Sequence, residues 1–106
     1  MSAQNKSNGN ENALTLVHIA RIPPHGVEAY RAYEDQVIPL MNEHGGRLER
    51  RLRNELGTLE LHIISFPSDS AFQKYRSDPR RTAATHLMET SAAKTELLSL
   101  RDVPVH

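Results

Sequence analysis

The amino-acid sequence predicts an α+β fold in which one four-stranded antiparallel sheet carries helices on a single face. Two observations support this prediction. Short apolar segments rich in β-branched residues and segments with helical periodicity follow one another in the order β-α-β-β-α-β. The chain has 106 residues, a length that suits one domain with one core.

One folded domain is expected over residues 13–106, after a disordered tail at residues 1–12. The tail is polar and offers too little apolar surface to offset the entropy lost on ordering. Leu14–Ala20 has the sequence LTLVHIA, an apolar and β-branched segment that predicts a buried strand. Pro23 and Pro24 then end this strand, because proline has no N–H to donate to a neighbouring strand.

The first helix is predicted by apolar residues that recur every three or four positions between Val27 and His44. Gly45 and Gly46 end it, since glycine readily adopts the left-handed backbone of a helix C-terminus. Pro39 lies inside the predicted helix, where it removes a backbone hydrogen bond and costs about 3 kcal/mol in a straight helix. We therefore expect a kink or a break next to Pro39.

A charged hairpin is predicted after this helix. Arg47–Arg53 alternates weakly and carries many charges, which is typical of an edge strand protected against aggregation. Residues 54–57 predict a tight turn. Thr58–Phe66, with the sequence TLELHIISF, gives the strongest strand signal in the chain.

The last third of the chain predicts a helix in two parts, followed by a strand. Ser68 can cap the first part and Asp78 the second, with Pro79 at the first helical position. Apolar positions over residues 84–98 predict a long final helix, and residues 100–105 predict the last strand. The complete order is the split-βαβ, ferredoxin-like arrangement.

Composition excludes several classes of function. Lys and Arg together number 13, as do Asp and Glu, so no net charge attracts nucleic acid or an anionic membrane. The absence of cysteine excludes disulfides, iron–sulfur centres and cysteine nucleophiles. No stretch approaches the roughly 18 apolar residues that span a bilayer, and no signal-peptide core is present. We therefore expect a cytoplasmic protein without nucleic-acid or membrane partners.

Both faces of the two central strands are apolar, because alternate residues of a strand share a face. One face carries Thr15, Val17, Ile19, Leu59, Leu61 and Ile63, and the other carries Leu14, Leu16, His18, Ala20, Glu60, His62, Ile64 and Phe66. Helices can cover one face only, and monomers rarely expose an apolar patch of more than a few hundred Å². We therefore expect a twofold homodimer that packs sheet against sheet.

Three polar residues, His18, Glu60 and His62, share a face of these adjacent strands. They can act as an acid–base group or, because imidazole and carboxylate suit Zn²⁺ or Fe²⁺, bind a metal. Alternatively, each histidine satisfies its ring nitrogens locally and Glu60 lies near solvent. Tyr30 and Tyr33 lie on the apolar stripe of the first helix and are expected to point at the sheet, where His18 or Glu60 could partner a buried hydroxyl.

The sequence contains no strong local catalytic motif, such as a phosphate-binding glycine loop or a His-Glu-x-x-His pair. Arg80 and Arg81 nevertheless occupy the first turn of a predicted helix, where cations oppose the helix dipole. Their placement does not serve helix stability, so Arg81 is a candidate for anion binding.

Several short motifs resemble those of the dimeric α+β barrel superfamily. They are Val37-Ile38-Pro39-Leu40, His44-Gly45-Gly46-Arg47, Phe66-Pro67-Ser68, Tyr75 and Ser77-Asp78-Pro79. Within the superfamily the chain is most similar to a small bacterial family of unknown function with a Gly-Gly-Arg turn and a Phe-Pro-Ser strand end. The NIPSNAP-like family is a near alternative. The resemblance covers about residues 14–99.

The resemblance implies a ligand pocket between sheet and helices, a dimer through the other sheet face, and no organic cofactor. Its characterised members include cofactor-free monooxygenases, polyketide cyclases and heme-degrading enzymes. Tyr75 matches the tyrosine of the cyclase acid–base pair, whereas Arg81 occupies the position of its histidine. Arginine stays protonated and would anchor an anionic oxygen instead. The pocket would be lined by His18, Tyr30, Tyr33, Glu60, His62, Ile64 and Phe66.

Three functional hypotheses follow. In the first, His18 or His62 removes a proton from an aromatic or polyketide-like substrate, and Tyr75 and Arg81 stabilise the oxyanion, as in a cofactor-free monooxygenase or cyclase of secondary metabolism. In the second, the same pocket binds a small molecule without turnover. In the third, the protein is a structural dimer whose own side chains fill the pocket. A cavity of less than about 300 Å³ would argue against the first two.

Overall fold

The structure is a computed structural model that describes residues 13–105, so the tail expected at residues 1–12 lies outside the described residues. In chain order the elements are β1 (Leu14–Arg21), a 3₁₀ turn (Pro24–Gly26), α1 (Val27–Glu43), β2 (Arg47–Arg53), β3 (Leu59–Phe66), α2 (Asp69–Arg76), α3 (Pro79–Ala83), α4 (Thr85–Ser91) and β4 (Lys94–Leu100). The strands form one antiparallel sheet in the order β2-β3-β1-β4, which confirms the predicted ferredoxin-like α+β arrangement.

The register of the sheet brings the predicted site residues together. β1 and β3 lie side by side in the middle of the sheet, and His18 is directly opposite His62. On the other side of β3, Arg51 pairs with His62 and Arg53 pairs with Glu60. Because directly paired residues share a face, these five side chains lie on the same face of the sheet.

The first helix does not break at Pro39. α1 continues through this residue to Glu43, so the expected break into two pieces is wrong. The carbonyl deprived of a donor by Pro39 belongs to Asp35. Both residues lie on the exposed side of the helix, where water can satisfy that carbonyl. Past the helix end, Gly45 has a φ of 83°, as expected for a helix stop that requires left-handed backbone.

Both predicted helix caps in the second half are confirmed. The Ser68 hydroxyl accepts a hydrogen bond from the Ala71 N–H at 3.1 Å, and the Asp78 carboxylate accepts one from the Arg80 N–H at 2.9 Å. His44 Nε2 also lies 2.9 Å from the Asp78 carboxylate, which ties the end of α1 to the start of α3. This contact fixes α3 above the sheet. No helix within residues 13–105 is long and apolar enough to cross a membrane.

The prediction of a long helix over residues 84–98 is wrong, as is that of a last strand over residues 100–105. The helical segment ends at Ser91, where Ala92 adopts a left-handed φ of 57°. The chain then forms β4, which pairs with β1 over its full length. Leu97 and Leu98 face opposite sides of the sheet in β4, because a strand places successive side chains on opposite faces.

The helices cover one face of the sheet and leave the other open. Beneath them lies an apolar core formed by Leu16, Leu40, Met41, Ile64, Phe66, Phe72 and Tyr75. The open face carries the partly buried Val17, Ile19, Leu61 and Ile63, flanked by Leu52, Leu59, Leu98 and Leu100, which are 40% to 52% exposed. An apolar surface of this kind is typical of an interface.

Candidate functional site

A cavity of about 190 Å³ lies between the helices and the sheet. Seven of the predicted site residues line it: His18, Tyr33, His62, Ile64, Phe66, Tyr75 and Arg81. The volume is below the limit of about 300 Å³, and by that criterion it argues against both the enzyme and the ligand-binding hypothesis. An engineered 150 Å³ cavity binds benzene, however, so this space accommodates one aromatic ring with a small substituent.

The two predicted histidines face each other across the β1–β3 pair. The His18 and His62 rings stack with their centroids 5.5 Å apart. Burial, together with the neighbouring His62, lowers the pKa of His18 to about 4. Burial also lowers the pKa of His62, although its hydrogen bond to Glu60 opposes this effect. Both rings are therefore neutral at pH 7 and able to accept a proton.

Glu60 does not lie near solvent, as one alternative had it, but is 1% exposed. Arg51 Nε donates to its Oε1 at 2.9 Å, and Arg53 Nε donates to its Oε2 at 2.7 Å. Burial opposes ionisation, but the hydrogen bonds from His62, Arg53 and Arg51 outweigh it and lower the pKa of Glu60 to about 2. Glu60 is thus a permanent carboxylate held in place by two guanidinium groups. It lies behind the cavity wall and does not line the cavity.

Glu60 also determines which nitrogen of His62 carries the proton. His62 Nε2 lies 2.7 Å from Glu60 Oε1. An ionised carboxylate can only accept a hydrogen bond, so Nε2 is the N–H donor of the neutral ring and Nδ1 holds the lone pair. The pair therefore has the geometry by which a carboxylate orients a catalytic imidazole.

Glu34 is a site residue that the sequence analysis missed. It is 3% exposed, lines the cavity, and places Oε1 3.2 Å from His62 Nε2. Burial, reinforced by the charge of Glu60, raises the pKa of Glu34 to about 7. The sequence contained a signal for this residue, because Glu34 lies between Tyr30 and Val37 on the apolar stripe of α1. Acidic residues are rarely buried without a partner, so an acid at such a position indicates a special role.

Tyr75 and Arg81 are in contact with each other in the cavity wall. The Arg81 guanidinium carbon lies 5.1 Å from the centroid of the Tyr75 ring, a cation–π distance. Burial raises the pKa of Tyr75, although Arg81 favours its ionised form. The hydroxyl is therefore protonated at neutral pH and can donate a hydrogen bond. Tyr33, whose pKa is also raised by burial, lines the same cavity.

Tyr30 is buried at 1% exposure but does not line the cavity. Its hydroxyl has no hydrogen-bond partner within residues 13–105, so the expected bond to His18 or Glu60 is not formed. Burial and the nearby Glu34 raise the pKa of Tyr30, and the hydroxyl remains a neutral group beside the acidic cluster.

The residues that could bind a metal ion differ from the expected set of His18, Glu60 and His62. In the described part of the chain, Glu34, Glu60 and His62 place three ligand atoms within 4.8 Å of one another. His18 is not among them. Arg51 and Arg53 already neutralise Glu60 at hydrogen-bond distance, and they would repel a dication. The donor set therefore fits a bound proton better than a bound metal ion.

No protein-family model and no curated protein sequence matches the chain. Solved structures do match it. A protein of unknown function from Rhodopseudomonas palustris is similar at 24% identity and a TM-score of 0.73, covering 98% of this chain and 92% of its own. SnoaB, a cofactor-independent oxygenase from Streptomyces nogalater, is similar at 13% identity and a TM-score of 0.68. The match covers 87% of this chain and 96% of SnoaB. A NIPSNAP family protein with unknown function from Agrobacterium tumefaciens is similar at 17% identity and a TM-score of 0.62. The match covers 84% of this chain and 88% of that protein.

These neighbours confirm the resemblance inferred from the sequence motifs. The chain shares the ferredoxin-like α+β fold of these solved structures. At these identities the similarity establishes the fold alone, and the function must be argued from the cavity.

Proposed function

We propose that this protein binds a small planar organic molecule in the sheet–helix cavity and removes a proton from it without an organic cofactor. The supporting observation is the convergence of two neutral imidazoles, a tyrosine hydroxyl and a guanidinium on one cavity. Acid–base chemistry needs a base and a group that stabilises the resulting negative charge, and this cavity contains both.

His62 is the proposed base. Its Nδ1 lone pair takes the proton, while Glu60 holds the ring through Nε2 at 2.7 Å and stabilises the imidazolium that forms. Arg51 and Arg53 are positioning residues, because they fix both oxygens of Glu60. His18, stacked on His62, stays neutral and adds no charge to oppose protonation of its neighbour.

Arg81 and Tyr75 are the proposed oxyanion partners. When the C–H bond breaks, its electron pair moves onto the substrate carbonyl oxygen, and the guanidinium and the phenol hydroxyl can each donate to that oxygen. Phe66 and Phe72, whose ring centroids lie 5.3 Å apart, provide an apolar wall for a flat ligand. A water-poor wall strengthens each of these electrostatic contacts.

SnoaB, a cofactor-independent oxygenase, shares the fold, and its existence supports chemistry without a cofactor on this scaffold. Binding without turnover is the second candidate. It is favoured by the lowered pKa values of both cavity histidines, because a weakly basic imidazole is a poor acceptor for a carbon-bound proton.

Proton exchange on a simple ketone tests the proposal without knowledge of the natural substrate. In D₂O, the protein should catalyse α-deuteration of 1-phenylpropan-2-one, followed by NMR. His62→Gln should abolish the catalysed exchange, whereas His86→Gln should not, because His86 is an exposed residue of α4. Exchange that is absent in the unmodified protein, or unchanged in folded His62→Gln, would reject the catalytic role.

We further propose that the open sheet face pairs with a second copy of the chain. The apolar residues there occupy all four strands, and helices from the same chain cover the opposite face. The resemblance to the dimeric α+β barrel superfamily implies the same arrangement. Sedimentation at micromolar concentration should show a species of twice 12.0 kDa, and a monodisperse monomer would contradict the proposal.

A further inference from the structure

The charges around the cavity are not all compensated. Glu60 accepts from both Arg51 and Arg53 and so forms a cluster with one excess positive charge. Arg80 is paired with Glu43 and Asp78 on the outer side of α3. Glu34 is then the acidic side chain of the cavity wall, and it has no arginine within ion-pair distance in residues 13–105.

Like Arg76, Arg81 lines the cavity without a carboxylate partner in the described residues. Its Nε is buried and has no hydrogen-bond partner there, and its Nη1 reaches only the Arg76 carbonyl at 3.4 Å. A buried N–H of this kind costs free energy unless a ligand or water accepts from it. Arg76, which stacks on Phe72 at 5.5 Å, adds a second positive charge to the same cavity wall.

We propose that the cavity binds a single-ring organic acid as its carboxylate, held by Arg81, and that the negative charge of ionised Glu34 in the same cavity wall repels this ligand. The inference rests on the proposed function and names the substrate class for that site. A guanidinium has five N–H donors in a fork that matches a carboxylate. Two hydrogen bonds from Arg81 to the ligand carboxylate leave three N–H donors. These can stabilise the carbonyl oxygen of the ligand that becomes negative during proton removal. The cavity volume of about 190 Å³ limits the rest of the ligand to about one ring.

Repulsion by ionised Glu34 makes ligand binding depend on pH. The charged and titratable groups around Glu34 are Glu60 and His62 of β3, Arg51 and Arg53 of β2, Arg81 of α3, Tyr75 of α2, and Tyr30 and Tyr33 of α1. Glu60 keeps its charge between pH 6 and pH 8 because its pKa is lowered to about 2, and the tyrosines stay neutral because burial raises their pKa values. His18 stays neutral as well, because its pKa is lowered to about 4, and burial also lowers the pKa of His62.

Glu34 is therefore the group whose charge changes in this interval. With a pKa of about 7, its protonated fraction falls from about nine-tenths at pH 6 to about one-tenth at pH 8. A carboxylate ligand should lose roughly tenfold in affinity over the same interval, if it binds only when Glu34 is neutral. A neutral ligand of the same shape should not respond to pH.

Calorimetry with benzoate, and with benzamide as its neutral counterpart, tests the proposal. Benzoate should bind about tenfold more weakly at pH 8 than at pH 6, whereas Glu34→Gln should bind it equally at both. Arg81→Met should lose the preference for benzoate over benzamide, and Arg101→Met, at an exposed position after β4, should retain it.

Equal binding of benzoate and benzamide to the unmodified protein would overturn the proposal, as would an unchanged preference in Arg81→Met. The ketone exchange assay separates this failure from that of the proposed function. Exchange that persists without carboxylate preference rejects the substrate class alone. Absence of both exchange and ring binding rejects the function together with the inference.

Discussion

Replacement of Glu34 by glutamine should make the protein more stable at alkaline pH. The pKa of Glu34 is about 7 in the folded protein and 4.5 in an unfolded chain. Because folding raises this pKa, the protonated carboxyl stabilises the fold fully below pH 4.5, and that contribution is lost as the pH rises through 7. The difference corresponds to about 3 kcal/mol, of which about 2 kcal/mol develops between pH 5 and pH 8.

Urea denaturation at pH 5 and pH 8 measures this effect as the difference between Glu34→Gln and the unmodified protein. The difference must be used because His18, whose pKa of about 4 is below the 6.5 of the unfolded chain, contributes the opposite pH dependence. The variant should gain about 2 kcal/mol over the unmodified protein between the two pH values. Glu28→Gln, at an exposed position of the same helix, serves as the control. A constant difference between the two proteins would show that Glu34 ionises normally, and the argument for the proton-binding cluster would fail.

The remaining predictions concern the scaffold. A Cβ at Gly26 would lie 1.9 Å from the Ser91 carbonyl oxygen, so Gly26→Ala should cost about 1–3 kcal/mol in urea denaturation, and an unchanged midpoint would refute the close approach. Ser68→Ala removes the acceptor of the Ala71 N–H and should cost about 1 kcal/mol, unless the cap is dispensable. Ile63→Lys places a charge in the open sheet face and should convert a dimer into monomers in sedimentation; a persisting dimer would place the interface elsewhere.

The sequence predicted the strands of the central sheet because their apolar, β-branched runs leave little alternative. It failed where tertiary contacts override local pattern. The residues of β4 fit a helical stripe as well as a strand, and their pairing with β1 decided between the two. A kink or a break was expected next to Pro39, but α1 continues through it, and the carbonyl that loses its hydrogen bond lies on the solvent side of the helix.

The site could be predicted only in part, because the sequence does not show how β1, β2 and β3 are aligned with one another. The shared face of His18, Glu60 and His62 follows from alternation along the strands, but the direct opposition of His18 and His62 depends on a strand pairing that no local pattern encodes. Arg51 belongs to β2, which the sequence predicted only as a charged edge strand. Its hydrogen bond to Glu60 depends on the register between β2 and β3. Glu34 was detectable as an acid within an apolar stripe. Its elevated pKa depends on Glu60, which is distant in sequence.

The most direct test of the central claim is to map a bound single-ring acid by NMR on labelled protein. Benzoate at pH 6 should shift signals of the cavity residues His18, His62, Tyr75 and Arg81, and leave Val17 and Leu61 of the open face unchanged. Shifts confined to the open face, or no saturable shifts at any site, would contradict the assignment of the sheet–helix cavity as the functional site.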